Sequence, residues 1–114
     1  MILEFSRYRY FLRPGKTDLR KGINGLSVLI QNTMKHDPFS ASLFLFCNSR
    51  QKLLKLIYWD RNGFCLWQKK LQRQTFAWPK DEVAAREIDF EQLKMLLDGI
   101  DFFRAHRKVH YSRV

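Results

Sequence analysis

The sequence predicts a single α+β domain: an antiparallel sheet of four to five strands with two main helices packed against it. Three observations lead there. Residues 43–71 hold three runs rich in apolar, aromatic and β-branched side chains, separated by two short turn-forming breaks, which is the pattern of hairpins. Residues 18–35 and 90–98 repeat apolar side chains every three or four positions, the spacing of amphipathic helices. Ten Phe, three Trp and four Tyr within 114 residues supply enough apolar volume for one core, so a folded chain is expected.

Residues 7–13 alternate basic and apolar side chains through Phe11, as a half-buried strand does, and Pro14-Gly15 ends it. The first helix carries its stripe on Leu19, Ile23, Leu26, Ile30 and Met34, with Thr17 or Asp18 as cap and Asp37-Pro38 as stop. Gly22 and Gly25 weaken its first turns. The central meander, about 43–71, follows. Its stronger turn is Asp60-Arg61-Asn62-Gly63, where Asn and Gly tolerate positive φ. The aromatic piece at 75–79 reads as a further edge strand, and residues 80–89 as a loop. Asp89 with Gln92 three positions on makes a capping-box signature for the second helix, and Gly99 is positioned to close it in the left-handed conformation. Residues 1–103 are expected to form the domain, and residues 104–114 a mobile basic tail.

No apolar run approaches the roughly 20 residues a membrane span needs. The opening residues mix Glu4 and arginines into the would-be apolar stretch, unlike a signal peptide, so a cytoplasmic location is expected. Cys47 and Cys65 are too few for a disulfide framework or a zinc site, and each lies in an expected strand, where a free thiol behaves as a small hydrophobe. Gly15-Lys16-Thr17 lacks the glycine five residues earlier that a phosphate-binding loop requires; Tyr10 stands there. His106 and His110 have metal-sharing spacing but no third ligand nearby. The acids Asp81, Glu82, Glu87, Asp89 and Asp98 have the ordinary spacing of a solvated face. No nucleophile with base and orienting acid is legible. The sequence therefore points to no catalytic residue, metal, cofactor or small-molecule substrate.

What remains is charge. The net charge of +10 comes from 21 basic and 11 acidic residues, and it is segregated. Residues 7–21 hold six basic groups against Asp18, and residues 50–73 hold seven against Asp60, whereas residues 80–101 hold three against seven acids. A basic face for a polyanion follows, with an acidic end elsewhere. The residues expected on that face are Arg7, Arg9, Arg13, Lys16, Arg20, Lys21, Lys52, Lys55, Lys69, Lys70 and Arg73. Arg20 and Lys21, at a helix start, would bind phosphate together with backbone N–H groups. Trp59, Trp67 and Trp78 are the alternative candidates, as an exposed aromatic patch for a protein partner.

The ordered motifs also carry a family resemblance. They are Asp18-Leu19-Arg20-Lys21-Gly22 with Gly25-Leu26, Phe44-x-Phe46, Lys55-Leu56-x-Tyr58-Trp59-Asp60, Gly63-Phe64-Cys65-Leu66-Trp67, Lys70-Leu71, Phe76-x-Trp78-Pro79 and Leu93-x-x-Leu96-Leu97-x-Gly99-Ile100. Together, from about Tyr8 to Asp101, they resemble the transposase accessory protein (TnpB-type, Orf2-like) encoded by the small second open reading frame of a class of bacterial insertion sequences. That resemblance implies an accessory role in transposition, beside a separate transposase carrying the acidic catalytic triad, and no catalytic residues here. DNA is the expected partner through the basic face. The alternative is an adaptor that binds the transposase without touching DNA.

Overall fold

The structure, a computed structural model, describes residues 7–80 and 85–100. Its elements are β1 (Arg9–Leu12), α1 (Ile23–Asn32), β2 (Ser42–Cys47), β3 (Leu53–Asp60), β4 (Gly63–Lys70), β5 (Arg86–Ile88) and α2 (Phe90–Leu97). They form an α+β arrangement around one five-stranded sheet in the order β4-β3-β2-β1-β5.

The expected meander is β2-β3-β4, antiparallel throughout, with Leu45 opposite Leu56 and Leu56 opposite Trp67. The sheet is mixed rather than wholly antiparallel, because β1 runs parallel to β2 with Phe11 opposite Phe44. A parallel pair needs a crossover rather than a tight turn, and α1 with its flanking loops supplies it. Central β2, SLFLFC, is buried at all six positions, as befits a strand covered on both faces.

The period-two alternation sorts the core into two layers. Phe11, Phe44, Phe46 and Ile57 face α1 and pack with Leu19, Leu26, Ile30 and Met34. Tyr10, Leu12, Leu43, Leu45, Leu54 and Leu56 face the other way, against Leu93 and Leu96 of α2 and Leu71, Phe76 and Trp78.

Beyond the mixed sheet, five further expectations are corrected. Residues 75–79 form no strand: their apolar side chains are needed under α2, and their backbone bonds go to loops, Phe76 N donating to Gln51 O at 2.7 Å and Gly15 N to Pro79 O at 2.8 Å. Residues 86–88, expected in a loop, make β5, antiparallel to β1 with Phe11 opposite Glu87. Helix α1 starts at Ile23, not near residue 18, because Asp18 closes a turn instead, its Oδ1 accepting from Arg20 N at 3.0 Å; Gly22 is the N-cap. The same helix stops at Asn32, before Lys35 turns left-handed at φ 60°. In the β3-β4 turn the positive φ falls on Arg61, at 50°, rather than on Asn62 or Gly63.

The second helix follows its sequence signals. Asp89 accepts from Gln92 N at 2.7 Å and Gln92 Oε1 accepts from Asp89 N at 2.9 Å, completing the capping box. At the other end Gly99 N donates to Leu96 O and Ile100 N to Met95 O, with Gly99 at φ 77°, the Schellman closure.

Candidate functional site

The parallel pair sets the polarity of the molecule. Both β1 and β2 end at the same edge of the sheet, where β3 begins and β4 ends. Three connecting segments meet there: residues 13–22 after β1, the β2-β3 turn at 48–52, and the strap at 71–80. Backbone bonds knit them together, Thr17 N to Cys47 O at 2.8 Å and Leu71 N to Lys52 O at 2.8 Å among them. The turn is held by Asn48, whose Oδ1 accepts from Lys52 N and Leu53 N, both at 3.1 Å. Helix α1 starts at this edge, so the positive end of its dipole lies there too.

This carboxyl edge gathers most of the expected basic residues. Lys16, Lys21, Arg50, Lys70, Arg73 and Lys80 are exposed on it and ion-pair with no described acid. Arg50 and Lys80 were not among the expected contacts; Lys80 sits beside acids in sequence, which masks the company it keeps in space. The acids Asp37, Asp60 and Asp89 lie toward the opposite edge, in the connections before β2, after β3 and after β5. Two described acids share the basic edge: Asp18, and Asp98 at the end of α2.

Not every expected cation is available. Arg9 lies toward the amino end of β1 and makes a bidentate pair with Glu87, both contacts at 2.9 Å. Its hydrogen bonds hold the Glu87 carboxyl below the usual range and raise the guanidinium. Arg20 is likewise bidentate to Asp18, at 2.9 and 2.8 Å, and those hydrogen bonds hold the Asp18 carboxyl well below the ordinary carboxylate range. It precedes α1 rather than capping it. Arg13 Nη1 donates to Lys16 O and Thr17 Oγ1, which fixes the loop after β1. Three lysines are tied to carbonyls: Lys52 Nζ to Gln74 O at 3.3 Å, Lys55 Nζ to Leu19 O at 2.6 Å and Lys69 Nζ to Leu97 O at 2.7 Å. Arg7 is exposed at the amino edge and engaged in an interaction of its own.

The three tryptophans form no common patch. Trp78 is only 6% exposed and its indole N–H donates to Arg13 O at 2.8 Å. Trp67 is half-buried against the α2 layer. Trp59 alone joins a surface cluster, edge-to-face with Phe39 and Phe64 at ring distances of 5.0 Å each, and Phe39 is 57% exposed. That cluster lies toward the acidic edge.

His106 and His110, considered as metal ligands above, lie outside the described residues, as do Asp81, Glu82 and the basic tail. Among the described residues no three His, Cys, Asp or Glu side chains come close enough to share a metal ion. No described helix is long and apolar enough to cross a membrane.

Comparison with known proteins agrees over nearly the whole chain. The family model for the IS66 Orf2 like protein matches residues 8–107. The uncharacterized protein y4hO of Sinorhizobium fredii (strain NBRC 101917 / NGR234) is 39% identical over 102 residues, covering 90% of this chain and 89% of the relative. A second protein of that strain, the uncharacterized protein y4jC, is 34% identical over 100 residues, covering 88% and 86%. No solved structure matches the chain. The motifs that run in order from β1 to the end of α2 are therefore those of a known lineage, and the chain belongs to the IS66 Orf2-like family of insertion-sequence accessory proteins.

Proposed function

We propose that this protein is a non-catalytic accessory factor of transposition that binds DNA through the basic edge of its sheet. The observation that carries the reading is the meeting of Lys16, Lys21, Arg50, Lys70, Arg73 and Lys80 on one edge while Asp37, Asp60 and Asp89 lie toward the other. Ammonium and guanidinium groups that ion-pair with no described acid are the ones placed to replace counterions along a phosphate backbone. Lys52, Lys55 and Lys69, tied to carbonyls, support this surface more than they touch DNA. In this reading the single domain spans residues 1–103, the tail at 104–114 adds sequence-independent charge, and cutting and joining belong to the transposase encoded beside it.

The test is affinity for duplex DNA carrying the element's ends, measured against salt. If all six cations engage phosphates, log K against log salt has a slope of roughly −5. A slope near zero would rule the basic edge out as a DNA contact.

A second reading is favoured by the Phe39-Trp59-Phe64 cluster, in which exposed Phe39 covers two half-buried rings. Aromatic anchors of this kind suit a protein partner, which makes the chain an adaptor for the transposase. Pull-down of purified transposase after nuclease treatment separates the two readings. Capture that survives nuclease and is lost in F39A supports the adaptor, and capture lost on nuclease treatment leaves DNA as the link.

A further inference from the structure

At the carboxyl ends of β1 and β2 the connecting segments leave a cleft of about 380 Å3. Lys16, Ser49 and Lys80 are its exposed members and Trp78 its buried one, with Asn48, Ser49 and Gln51 contributed by the β2-β3 turn. The walls are braced from behind. Gln51 exchanges bonds with Phe76, N–H to carbonyl at 2.7 Å and Nε2 to carbonyl at 3.0 Å; Gly15 N reaches Pro79 O, and the Trp78 indole is fixed on Arg13 O. Gly15 itself is left-handed, at φ 79°, and a Cβ there would meet nothing within 4 Å, so the space beside it is open. The cleft is thus formed before any ligand arrives.

Its chemistry is specific in kind. The backbone N–H and the hydroxyl of Ser49, which lines the cleft, donate to no described residue. Two ammoniums stand beside them; the Asn48 NH2 and the Gln51 side-chain carbonyl are the ends of those amides left unused by described residues, and buried Trp78 forms the floor. Ammonium and N–H donors bind phosphate. A free amide N–H and a free amide carbonyl bind the edge of a base that is not already paired. A duplex is a rod about 20 Å across with its bases turned inward, and it lies over such an opening without entering it.

We propose that this cleft takes one unpaired nucleotide of a DNA strand, its phosphate between Lys16 and Lys80 and its base among Asn48, Gln51 and Trp78. The inference rests on the DNA-binding reading above and deepens it: Arg50, Lys70 and Arg73 on the same edge hold the adjoining phosphates, so the substrate is DNA with a single-stranded end or gap. A free nucleotide offers the same chemistry without those neighbours.

The test compares two labelled DNAs on the full chain, a blunt duplex and the same duplex with a short single-stranded overhang. The overhang is expected to bind about tenfold tighter, the gain of one seated nucleotide. S49W, which fills the cleft, should erase that preference without weakening the blunt duplex. K16Q/K80Q, two exposed substitutions that leave the core alone, should weaken the overhang more than the blunt form. Equal affinity of the unsubstituted chain for both DNAs overturns the cleft assignment while leaving duplex binding intact. Binding to neither overturns the DNA reading and the cleft together. A preference that S49W retains, in protein whose thermal melt is unchanged, moves the unpaired nucleotide elsewhere. Loss of the preference to low concentrations of a free deoxynucleoside monophosphate would reassign the cleft to the free nucleotide.

Discussion

Lys55 and Lys70 lie on the same face of neighbouring strands, yet they are different charges. The Lys55 ammonium is bonded to Leu19 O and so pins the loop before α1 to β3, whereas Lys70 is exposed at the end of β4. A hydrogen bond from a charged group is worth about 1.5–3 kcal/mol, and its loss leaves the acceptor short of a partner. K55M is therefore expected to lower the midpoint of denaturant unfolding while leaving DNA affinity nearly unchanged, and K70M to do the reverse. Loss of affinity in K55M without loss of stability would show that its ammonium leaves Leu19 for phosphate. The cysteines divide in the same way. Cys47 is fully buried in β2, and burial pushes its thiol up to about 12 from 9.0. A pKa raised by folding means the neutral thiol is favoured in the folded chain. That contribution is complete below pH 9 and is lost as pH rises from 9 toward 12. Iodoacetamide at neutral pH should modify half-buried Cys65 and spare Cys47 until the chain unfolds; equal rates at the two would mean that β2 opens locally.

Among the elements, α2 depends most visibly on its ends, since it is only eight residues long. D89A removes the side-chain acceptor for Gln92 N and should cost about 1 kcal/mol, or roughly 5 °C in melting temperature; a melt within a degree of the original would mean that packing of Leu93 and Leu96 alone holds the helix. These caps were legible in the sequence because each is a local exchange between residues three to five apart. The meander was legible for the same reason, being consecutive strands joined by short turns. What escaped was non-local. Nothing in residues 9–12 says that their partner is parallel β2 beyond α1, and the three residues of β5 are too few for a periodic signal. The aromatic strap shows why composition misleads: Phe76 and Trp78 have strand-forming side chains, but the layer beneath α2 takes them and leaves their backbone to the loops.

At the scale of the whole molecule, segregated charge in the sequence becomes polarity along the strands. The sequence carried the sign of that asymmetry but not its membership. Arg9 and Arg20 were indistinguishable from Lys16 until Glu87 and Asp18 were seen beside them, and Lys80 was hidden among acids. Polarity makes an end-specific prediction that net charge does not. K70E/R73E at the basic edge and K35E/R61E toward the other each change the total charge by the same amount, and all four side chains are exposed. If attraction were a matter of net charge, the two pairs would weaken duplex binding equally. If phosphates sit on the carboxyl edge, K70E/R73E should weaken it by about a hundredfold at moderate salt and flatten the salt slope by about two contacts, while K35E/R61E changes only the on-rate and only at low salt. Equal losses from the two pairs would remove the basic edge as a binding surface and leave a protein attracted to DNA by its overall charge alone.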